Sequence, residues 1–325
     1  MTTRLGFQIP NFSFPGVPTE ALFEQVASIA RRAEDAGFDT VFVMDHFYQL
    51  PMLGPPEHEM LECYSILAAL AQRTERCRLG ALVTGNTYRN PALLAKTVTT
   101  LDIVSGGRAQ LGIGAGWFEL EHESLGFEFG TFTDRFQKLE EALEIILPML
   151  RGERVTFEGT HYRVKDAFNS PPPVGRIPVM IGGSGEKKTF RLVAQYADES
   201  NLTAPPEEVP RKLDALAARC EEVGRDRSEI TVSMQRPVCL APTHDEAWEV
   251  GKAFFLERGL DLESLSEADR APFLALVTWG SPDEVAEELA GYLALGIDGL
   301  TLSLPANGHD PEIVALLGET ASKLL

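Results

Sequence analysis

Apolar segments of strand length alternate with amphipathic helix patterns along the whole chain. We predict strands near 4–9, 39–44, 77–83, 108–114, 177–182, 198–202, 230–236 and 298–303, and helix patterns follow most of them. A module of helix, glycine and buried strand occurs as AEDAGFDTVFVMD and recurs as LALGIDGLTLSLP. Eight strands that alternate with helices favour a closed α/β barrel, (β/α)8, over an open sheet.

The chain of 325 residues is predicted to form a single domain over 1–325. In its first helix pattern the apolar residues fall on one stripe, and Gly37 ends the pattern; the stripe is Leu22, Val26, Ile29, Ala30 and Ala33. Two stretches exceed ordinary connections. The stretch near 154–176 is predicted to be a hairpin and a proline-rich loop after the fourth helix, and the stretch near 259–280 follows the seventh strand.

Composition and charge narrow the classes of partner. The formal net charge is −19, with 48 acidic against 29 basic residues, so we expect no nucleic acid and no membrane surface as a partner. The four cysteines form no C-x-x-C pair, which predicts neither a zinc site nor a disulfide framework. The start MTTRLGFQIP enters a strand without a charged and apolar leader. We therefore expect a cytoplasmic protein.

The segment IPVMIGGSGEKKTFRLVAQYAD, residues 177–198, predicts a short strand, a glycine-rich turn and a helix. Such a turn directs backbone N–H groups and a helix N-terminus at one point, which favours a phosphate. The P-loop pattern G-x-x-x-x-G-K-[ST] does not fit, because five residues after Gly182 stands Lys187 and five after Gly183 stands Lys188. The turn predicts an anion cradle without naming the ligand.

In such barrels the chemistry lies where the strands end. His46, in VMDHF, comes directly after the second strand and is a candidate proton-transfer group, although Asp45 and His46 are also an ordinary polar pair for a strand end. Thr84, after the third strand, is the residue of its segment that could face a ligand. The full set of strand-end candidates is Gln8, Asn11, Asp45, His46, Thr84, Asn86, Gly114 to Trp117, Gly182 to Gly185, Asn201, Gln235, Arg236 and Ser303.

Two other readings of these motifs fail on their spacing. HEMLE at 58–62 resembles H-E-x-x-H but ends in Glu62 where the motif needs its second histidine. The other histidines form no pair at the spacing of metal ligands, so we predict no metal site. LGIGAGW at 111–117 has Trp117 where the dinucleotide fingerprint needs a third glycine. Its residues Gly114, Ala115 and Gly116 suit either a flat ligand lying against backbone or a plain turn.

Three segments together resemble a known family. They are MDHF, VTGNTYRNPALLAKTVTTLDIVSGGRAQLGIGAGWFELEHESLG and IPVMIGGSGEKKTFRLVAQYAD, in this order and spacing. They resemble the bacterial-luciferase-like superfamily, and within it the actinobacterial oxidoreductases that use the deazaflavin coenzyme F420. The resemblance covers nearly the whole chain, and least clearly 203–275. It implies a luciferase-like TIM barrel with the cofactor ring across the strand ends, and a homodimer.

The resemblance also assigns residues. It implies that the cofactor phosphate is held by the cradle Gly182, Gly183, Ser184 and Gly185 with Lys187 and Lys188, and that the ring and its side chain are lined by Asp45, Thr84, Ala115 and Gly116. A non-proline cis peptide bond of the family would here join Ala81 and Leu82 beside the ring. The family's sugar-phosphate dehydrogenase branch has a glutamate as proton donor at the position of Trp117, and an aromatic residue there favours an apolar or planar substrate.

The function predicted from these features is an F420-dependent oxidoreductase that transfers a hydride between the deazaflavin and a small organic substrate, with His46 as its catalytic residue. A monooxygenase that uses FMN is the alternative, because it shares the barrel and the phosphate cradle. A barrel that binds the cofactor without turnover is the second alternative. The sequence names neither the substrate nor the direction of transfer.

Overall fold

Eight parallel strands close into a barrel in the computed structural model, which describes residues 3–325. In their order around the barrel, the strands are β1 (Arg4–Ile9), β2 (Thr40–Val43), β3 (Arg78–Ala81), β5 (Ala109–Gly114), β8 (Val179–Gly182), β9 (Glu199–Leu202), β10 (Thr231–Leu240) and β12 (Gly299–Ser303). The last strand, β12, pairs with β1 and closes the ring. The predicted barrel is confirmed. Residues 1 and 2, which belong to the predicted domain and to the N-terminal segment predicted to carry no leader, lie outside the described residues.

Eleven α-helices lie among residues 3–325, most of them outside the barrel. They are α1 (Leu22–Asp35), α2 (Cys63–Leu70), α3 (Pro91–Ser105), α4 (Glu119–Leu125), α5 (Phe132–Leu150), α6 (Thr189–Tyr196), α7 (Val209–Glu222), α8 (His244–Leu256), α9 (Glu267–Leu274), α10 (Pro282–Ala294) and α11 (Pro311–Ser322). The predicted apolar stripe of α1 is buried. In these residues no helix combines the length and the apolar character that a membrane crossing requires.

Four strands lie outside the ring. The pair β6 (Val155–Glu158) and β7 (Arg163–Ala167) forms the hairpin predicted for the first insertion. In the second insertion, β11 (Thr278–Gly280) pairs with Val238–Leu240, the part of β10 that extends beyond the barrel. The short β4 (Thr84–Gly85) pairs with the end of β5. Both insertions therefore carry secondary structure of their own.

The third strand ends differently from the expectation. The non-proline cis peptide bond joins Leu82 and Val83, one residue later than the predicted bond between Ala81 and Leu82. The Leu82 N–H still donates to the Val43 carbonyl at 2.9 Å, so the ladder with β2 extends through Leu82 and the break follows it. At the same place a Cβ on Gly112 would lie 2.1 Å from the Ala81 carbonyl oxygen, which explains why glycine stands there.

A buried carboxylate fastens α1 to the start of the third strand. Glu34 accepts hydrogen bonds from the backbone N–H groups of Glu75 at 3.0 Å, Arg76 at 2.6 Å and Cys77 at 2.7 Å. Burial alone would raise the pKa of Glu34, but these hydrogen bonds outweigh it and hold the pKa below its ordinary value. Glu34 therefore stays ionised at neutral pH and fixes the loop from which β3 enters the barrel.

Glu34→Gln should lower the free energy of unfolding at pH 7 by about 1–3 kcal/mol, because a neutral amide accepts these hydrogen bonds less strongly than a carboxylate and places an NH2 group where Oε2 now accepts from the Glu75 N–H. Because the pKa of Glu34 is lower in the folded than in the unfolded protein, its ionised form stabilises the fold at pH values above the ordinary glutamate pKa of roughly 4.3. This stabilisation is lost as the pH falls through the pKa of Glu34 in the folded protein. The difference between the variant and the parent should thus narrow below about pH 4 in urea unfolding curves.

The control is Glu312→Gln, which removes a carboxylate that also contacts α1, through Arg32, but whose side chain is 78% exposed. Its effect should stay within about 0.5 kcal/mol. Equal losses for the two variants would show that Glu34 is not a fastening point.

Candidate functional site

The carboxyl ends of all eight barrel strands lie on one rim, because the strands are parallel. His46 follows β2, Trp117 follows β5, and Ser184 follows β8. Contacts join the loops after β2, β4 and β5: the centroid of the His46 ring lies 5.7 Å from that of Trp117, and an added Cβ on Gly116 would meet Thr87 at 2.6 Å. The structure therefore brings the predicted histidine and the predicted anion cradle to the same end of the molecule.

His46 has one ring nitrogen bound and one free. Its Nδ1 lies 3.0 Å from Oε2 of Glu121, while its Nε2 has no partner within residues 3–325. The rings of Trp117 and Phe118 stand edge-on to the imidazole, each with its centroid 5.7 Å away. A carboxylate at Nδ1 favours the tautomer that carries its proton there. That tautomer leaves Nε2 as an acceptor on the open side of the ring.

Glu121 is a buried hub that the sequence did not reveal. Its Oε1 accepts from the backbone N–H groups of Phe47 at 2.5 Å and Tyr48 at 2.9 Å, and its Oε2 binds His46 and the Tyr88 hydroxyl. Burial alone would raise the pKa of Glu121, but the hydrogen bonds from His46, Tyr88 and Tyr48 hold it below its ordinary value. Glu121 is therefore a carboxylate at neutral pH.

Asp45 and Thr84 do not present their side chains to the rim. Arg89 binds both Asp45 oxygens, at 2.7 and 2.9 Å, and the Gly85 N–H donates to the same carboxylate at 3.0 Å. The Thr84 hydroxyl is fully buried and lies 2.7 Å from the Tyr64 hydroxyl on α2. These two predicted lining residues hold the loops after β2 and β3 in place, and any contact of theirs with a cofactor stays a prediction.

A shelf of small residues surrounds Val83. An added Cβ on Gly114 or on Gly182 would lie 2.9 Å from the Val83 side chain. Glycine at both positions therefore leaves the room that the Val83 side chain occupies against the ends of β5 and β8. The predicted ring contacts Ala81 and Leu82 precede it; Ala81 is buried in β3, and Leu82 packs inside the barrel. The half-buried Ala115 and Gly116 come directly after β5. This shelf suits a flat group lying across the strand ends.

The predicted cradle has unused donors. No backbone N–H from 184 to 189 has a hydrogen-bond acceptor within residues 3–325, and these six groups precede or begin α6. Gly183 adopts a φ of +118°, a conformation that favours glycine, and its N–H donates to Asn201. A Cβ on Gly185 would meet Thr189 Oγ1 at 2.9 Å. A run of free N–H groups at a helix start is a site for an anion.

Cations flank this cradle. Lys187 is exposed, and Lys188 reaches Thr133 Oγ1 at 3.2 Å and lies over Phe132. Lys212, on α7, donates to the Ser184 carbonyl at 2.9 Å. The Ser184 hydroxyl is not free, because it donates to the Thr203 carbonyl and accepts from the Thr203 N–H, so the backbone rather than this hydroxyl offers the donors.

Four of the remaining strand-end candidates divide into two groups. Gln8 and Gln235 meet across the barrel interior at 2.5 Å, and Asn201 reaches Thr301 at 3.3 Å, so these amides lie inside the barrel. Arg236 points away from the rim, to β11 and α10, where its guanidinium binds Thr278 and Glu288. No cluster of three or more His, Cys, Asp or Glu suited to a metal occurs in the described part of the chain.

Sequence reasoning missed Glu121, Arg89, Val83, Thr203 and Lys212. The ELEHESL pattern of α4 offers three glutamates, and nothing local distinguishes the buried Glu121 from its exposed neighbours. A signal existed for Arg89 alone, because it directly precedes Asn90 and Pro91, a pair typical of a helix start, and stands close to the strand end.

The chain is similar to known proteins in sequence and in fold. A curated relative from Microbacterium testaceum, named F420-dependent glucose-6-phosphate dehydrogenase, is 35% identical over 297 residues, which cover 86% of each chain. The solved structure of an F420-dependent secondary alcohol dehydrogenase in complex with an F420-acetone adduct has the same fold, with a TM-score of 0.82 and 21% identity over 100% of both chains.

The fold is also shared with an enzyme that holds another cofactor. The oxygenating constituent of 3,6-diketocamphane monooxygenase from Pseudomonas putida, a type II Baeyer–Villiger monooxygenase solved in complex with FMN, superimposes with a TM-score of 0.75 at 19% identity over 100% of this chain and 99% of that one. The sequence matches the luciferase-like monooxygenase family over residues 3–299. The chain belongs to the luciferase-like monooxygenase family.

Proposed function

We propose that this protein is an oxidoreductase that binds coenzyme F420 and transfers a hydride between it and a small organic substrate. The observation that carries the proposal is the run of free backbone N–H groups at 184–189, on the same rim as the free Nε2 of His46. The names of curated relatives that are 35% and 40% identical to this chain confirm the class of enzyme that the sequence predicts. A cytoplasmic location stays a prediction.

The chain offers two surfaces to the cofactor. Its phosphate would be bound by the N–H groups after Gly183, with Lys187 and Lys188 beside them, and its ring would lie on the shelf formed by Val83, Gly114 and Gly182. Bound F420 supplies the hydride-transfer chemistry. The acidic tail of F420, which continues past the phosphate, makes the two lysines important in a chain of net charge −19.

His46 would manage the proton that accompanies the hydride. When a C–H bond of an alcohol gives up its hydride, the hydroxyl proton must leave, and the free Nε2 would accept it; in the reverse direction Nε2H⁺ would return it. Glu121 positions the ring through Nδ1, and His46 together with its other donors holds the pKa of Glu121 below its ordinary value. Tyr88 supports this arrangement, because burial raises the pKa of its phenol and keeps the hydroxyl a donor to Glu121.

The purified protein should bind F420 at micromolar levels or tighter, and FMN at least about tenfold more weakly, which corresponds to roughly 1.4 kcal/mol. The affinity for F420 should fall as salt is raised, because part of it comes from charge pairs with the lysines. Fluorescence titrations with each cofactor at two ionic strengths measure both effects. Preferential binding of FMN would favour the monooxygenase alternative instead.

A pair of glycine variants tests the cradle itself. Gly185→Ala should weaken F420 binding by about tenfold, because the new Cβ lies 2.9 Å from Thr189 Oγ1 and intrudes among the free N–H groups. Gly175→Ala is the matched control, since nothing lies within 4 Å of a Cβ there. Equal affinities of the two variants for F420 would show that the cofactor phosphate does not bind in this cradle.

His46→Asn should reduce kcat by about a hundredfold to ten-thousandfold while the F420 dissociation constant stays close to that of the parent. Glu121→Gln should also reduce kcat, because one amide oxygen cannot accept from four donors and the His46 ring loses its fixed orientation. Steady-state kinetics and cofactor titration separate the two quantities.

His244→Asn serves as the control for His46, because its side chain is 61% exposed and pairs with Glu284. Should Glu121→Gln fail to fold, Tyr88→Phe removes one donor from the same carboxylate and should lower kcat by a smaller factor. A His46 variant with parental kcat would support the alternative of a barrel that binds the cofactor without turnover.

We also propose that two copies pair through the outer face of α2 and α3. In a chain with 24% charged residues, α2 has none, and α3 has only Lys96 and the buried Asp102. Gln72, two residues after α2, donates to the Val104 carbonyl of α3 and so joins the end of α2 to α3. Leu93 is 58% exposed on this face. Two copies that each carry −19 repel one another least across an uncharged surface, which favours a homodimer there.

Leu93→Glu combined with Thr100→Glu should convert the dimer to a monomer in sedimentation experiments, because it places two buried charges on each side of the interface. The double variant Leu256→Glu and Val223→Glu, at exposed apolar positions on other helix ends, is the control and should sediment like the parent. A monomeric parent protein would contradict the proposal directly.

A further inference from the structure

We propose that the substrate is an uncharged alcohol, or the corresponding carbonyl compound, with a planar apolar group that stacks on Trp117, and not the sugar phosphate in the names of the relatives. This inference rests on the proposed function, because it concerns the substrate of the same site. Its support comes from one exposed aromatic side chain and from the partners of the cations around the rim.

Trp117 is the most exposed aromatic ring beside the proton-transfer candidate. It is 57% exposed, three residues past the end of β5, and its ring packs against those of His46 and Phe118 at 5.7 and 5.2 Å. A tryptophan that leaves so much of its surface in water next to a functional group offers a stacking surface to a ligand. A substrate within reach of His46 therefore meets an indole.

The wall behind His46 is apolar as well. Phe118 packs with Met44 and Leu50, which flank His46 on the loop after β2, and the half-buried Leu53 joins this cluster. Two glutamates on α4, Glu119 and Glu123, are exposed on the helix that follows Trp117. The surroundings of His46 are thus apolar with negative charge nearby, which disfavours a phosphate dianion.

Arginines near the rim already have partners. Arg89 binds the carboxylates of Asp45 and Glu62. Arg135 donates to the Gly116 carbonyl at 3.1 Å and lies 3.9 Å over the ring of Phe129. A phosphate would have to displace these partners, and for Arg89 that means leaving two carboxylates without their counter-charge.

The second insertion supplies two more arginines. Arg258 donates to the Leu53 carbonyl at 3.0 Å and so fastens the insertion to the loop after β2. Arg270 lies 5.5 Å over the ring of Trp248, and its Nε has no partner in residues 3–325. Arg270 is therefore the arginine of this insertion with a free donor, and the experiment includes it as the test for a phosphorylated substrate.

The reaction balances without another reactant. In oxidation, the alcohol would lose the hydride of its C–H bond, which bound F420 would take up, and its O–H proton would pass to His46 Nε2 as the carbonyl forms. Reduction of the carbonyl compound by reduced F420 runs the same steps in reverse. A planar group next to the reacting carbon would lie against Trp117.

The protein is first titrated with F420, which tests the proposed function by itself. The F420-loaded protein is then assayed with 1-phenylethanol and with glucose 6-phosphate, and in the reverse direction with reduced F420 and acetophenone; binding of acetophenone is measured by calorimetry. We expect acetophenone to bind, the uncharged pair to react, and kcat/KM for 1-phenylethanol to exceed that for glucose 6-phosphate at least tenfold. Trp117→Ala should weaken acetophenone binding about threefold to tenfold.

Leu120→Ala, an exposed apolar position on α4, is the matched control and should bind acetophenone like the parent. Faster turnover of glucose 6-phosphate, lost in Arg270→Ala, would overturn the inference while leaving the proposed function intact. Failure of acetophenone to bind the F420-loaded protein, or equal binding to the Trp117 variant, would also overturn it. Failure to bind F420 would instead overturn the proposed function and this inference together.

Discussion

The seam between β1 and β12 closes the barrel, and the whole rim depends on it. Arg4 to Gln8 pair in register with Gly299 to Ser303, and a Cβ on Gly299 would lie 2.4 Å from the Arg4 carbonyl oxygen, so only glycine permits this close approach. Once the seam is closed, no barrel strand is left as an edge, and the loops after β2, β5 and β8 must share one end. Residues far apart in the chain thereby become neighbours around one surface.

On that rim the buried carboxylate of Glu121 positions the His46 ring and the loop after β2. Glu121 belongs to α4, yet its partners come from the loop after β2 and, through Tyr88, from the loop after β4. An ionised group in the interior is costly unless its oxygens are filled with donors, and here four donors fill them. The same satisfied charge that lets the loops pack also orients the imidazole of His46, so stability and chemistry depend on one side chain.

The sequence predicted those features that periodicity and strand ends encode. The stripe of α1, the eight strands, the hairpin at 155–167 and the free donors after Gly183 follow from spacing, glycine and turn chemistry. The directions of Asp45 and Thr84 did not, because Arg89 and Tyr64, which bind them, lie on other elements. The role of Glu121 could not be predicted for the same reason. Which of the three glutamates of α4 is buried depends on how the helix packs against the barrel, and the local sequence does not encode this.

The extension of β10 past the barrel has a consequence for how this enzyme could diversify. Val238 to Leu240 pair with β11, and Trp279 packs so closely on α8 that a Cβ on Gly251 would lie 1.7 Å from its ring. The second insertion is thus anchored by a ladder and a tight ring contact of its own. Its outer part, residues 259–276, could therefore be exchanged or lengthened while the eight barrel strands stay unchanged.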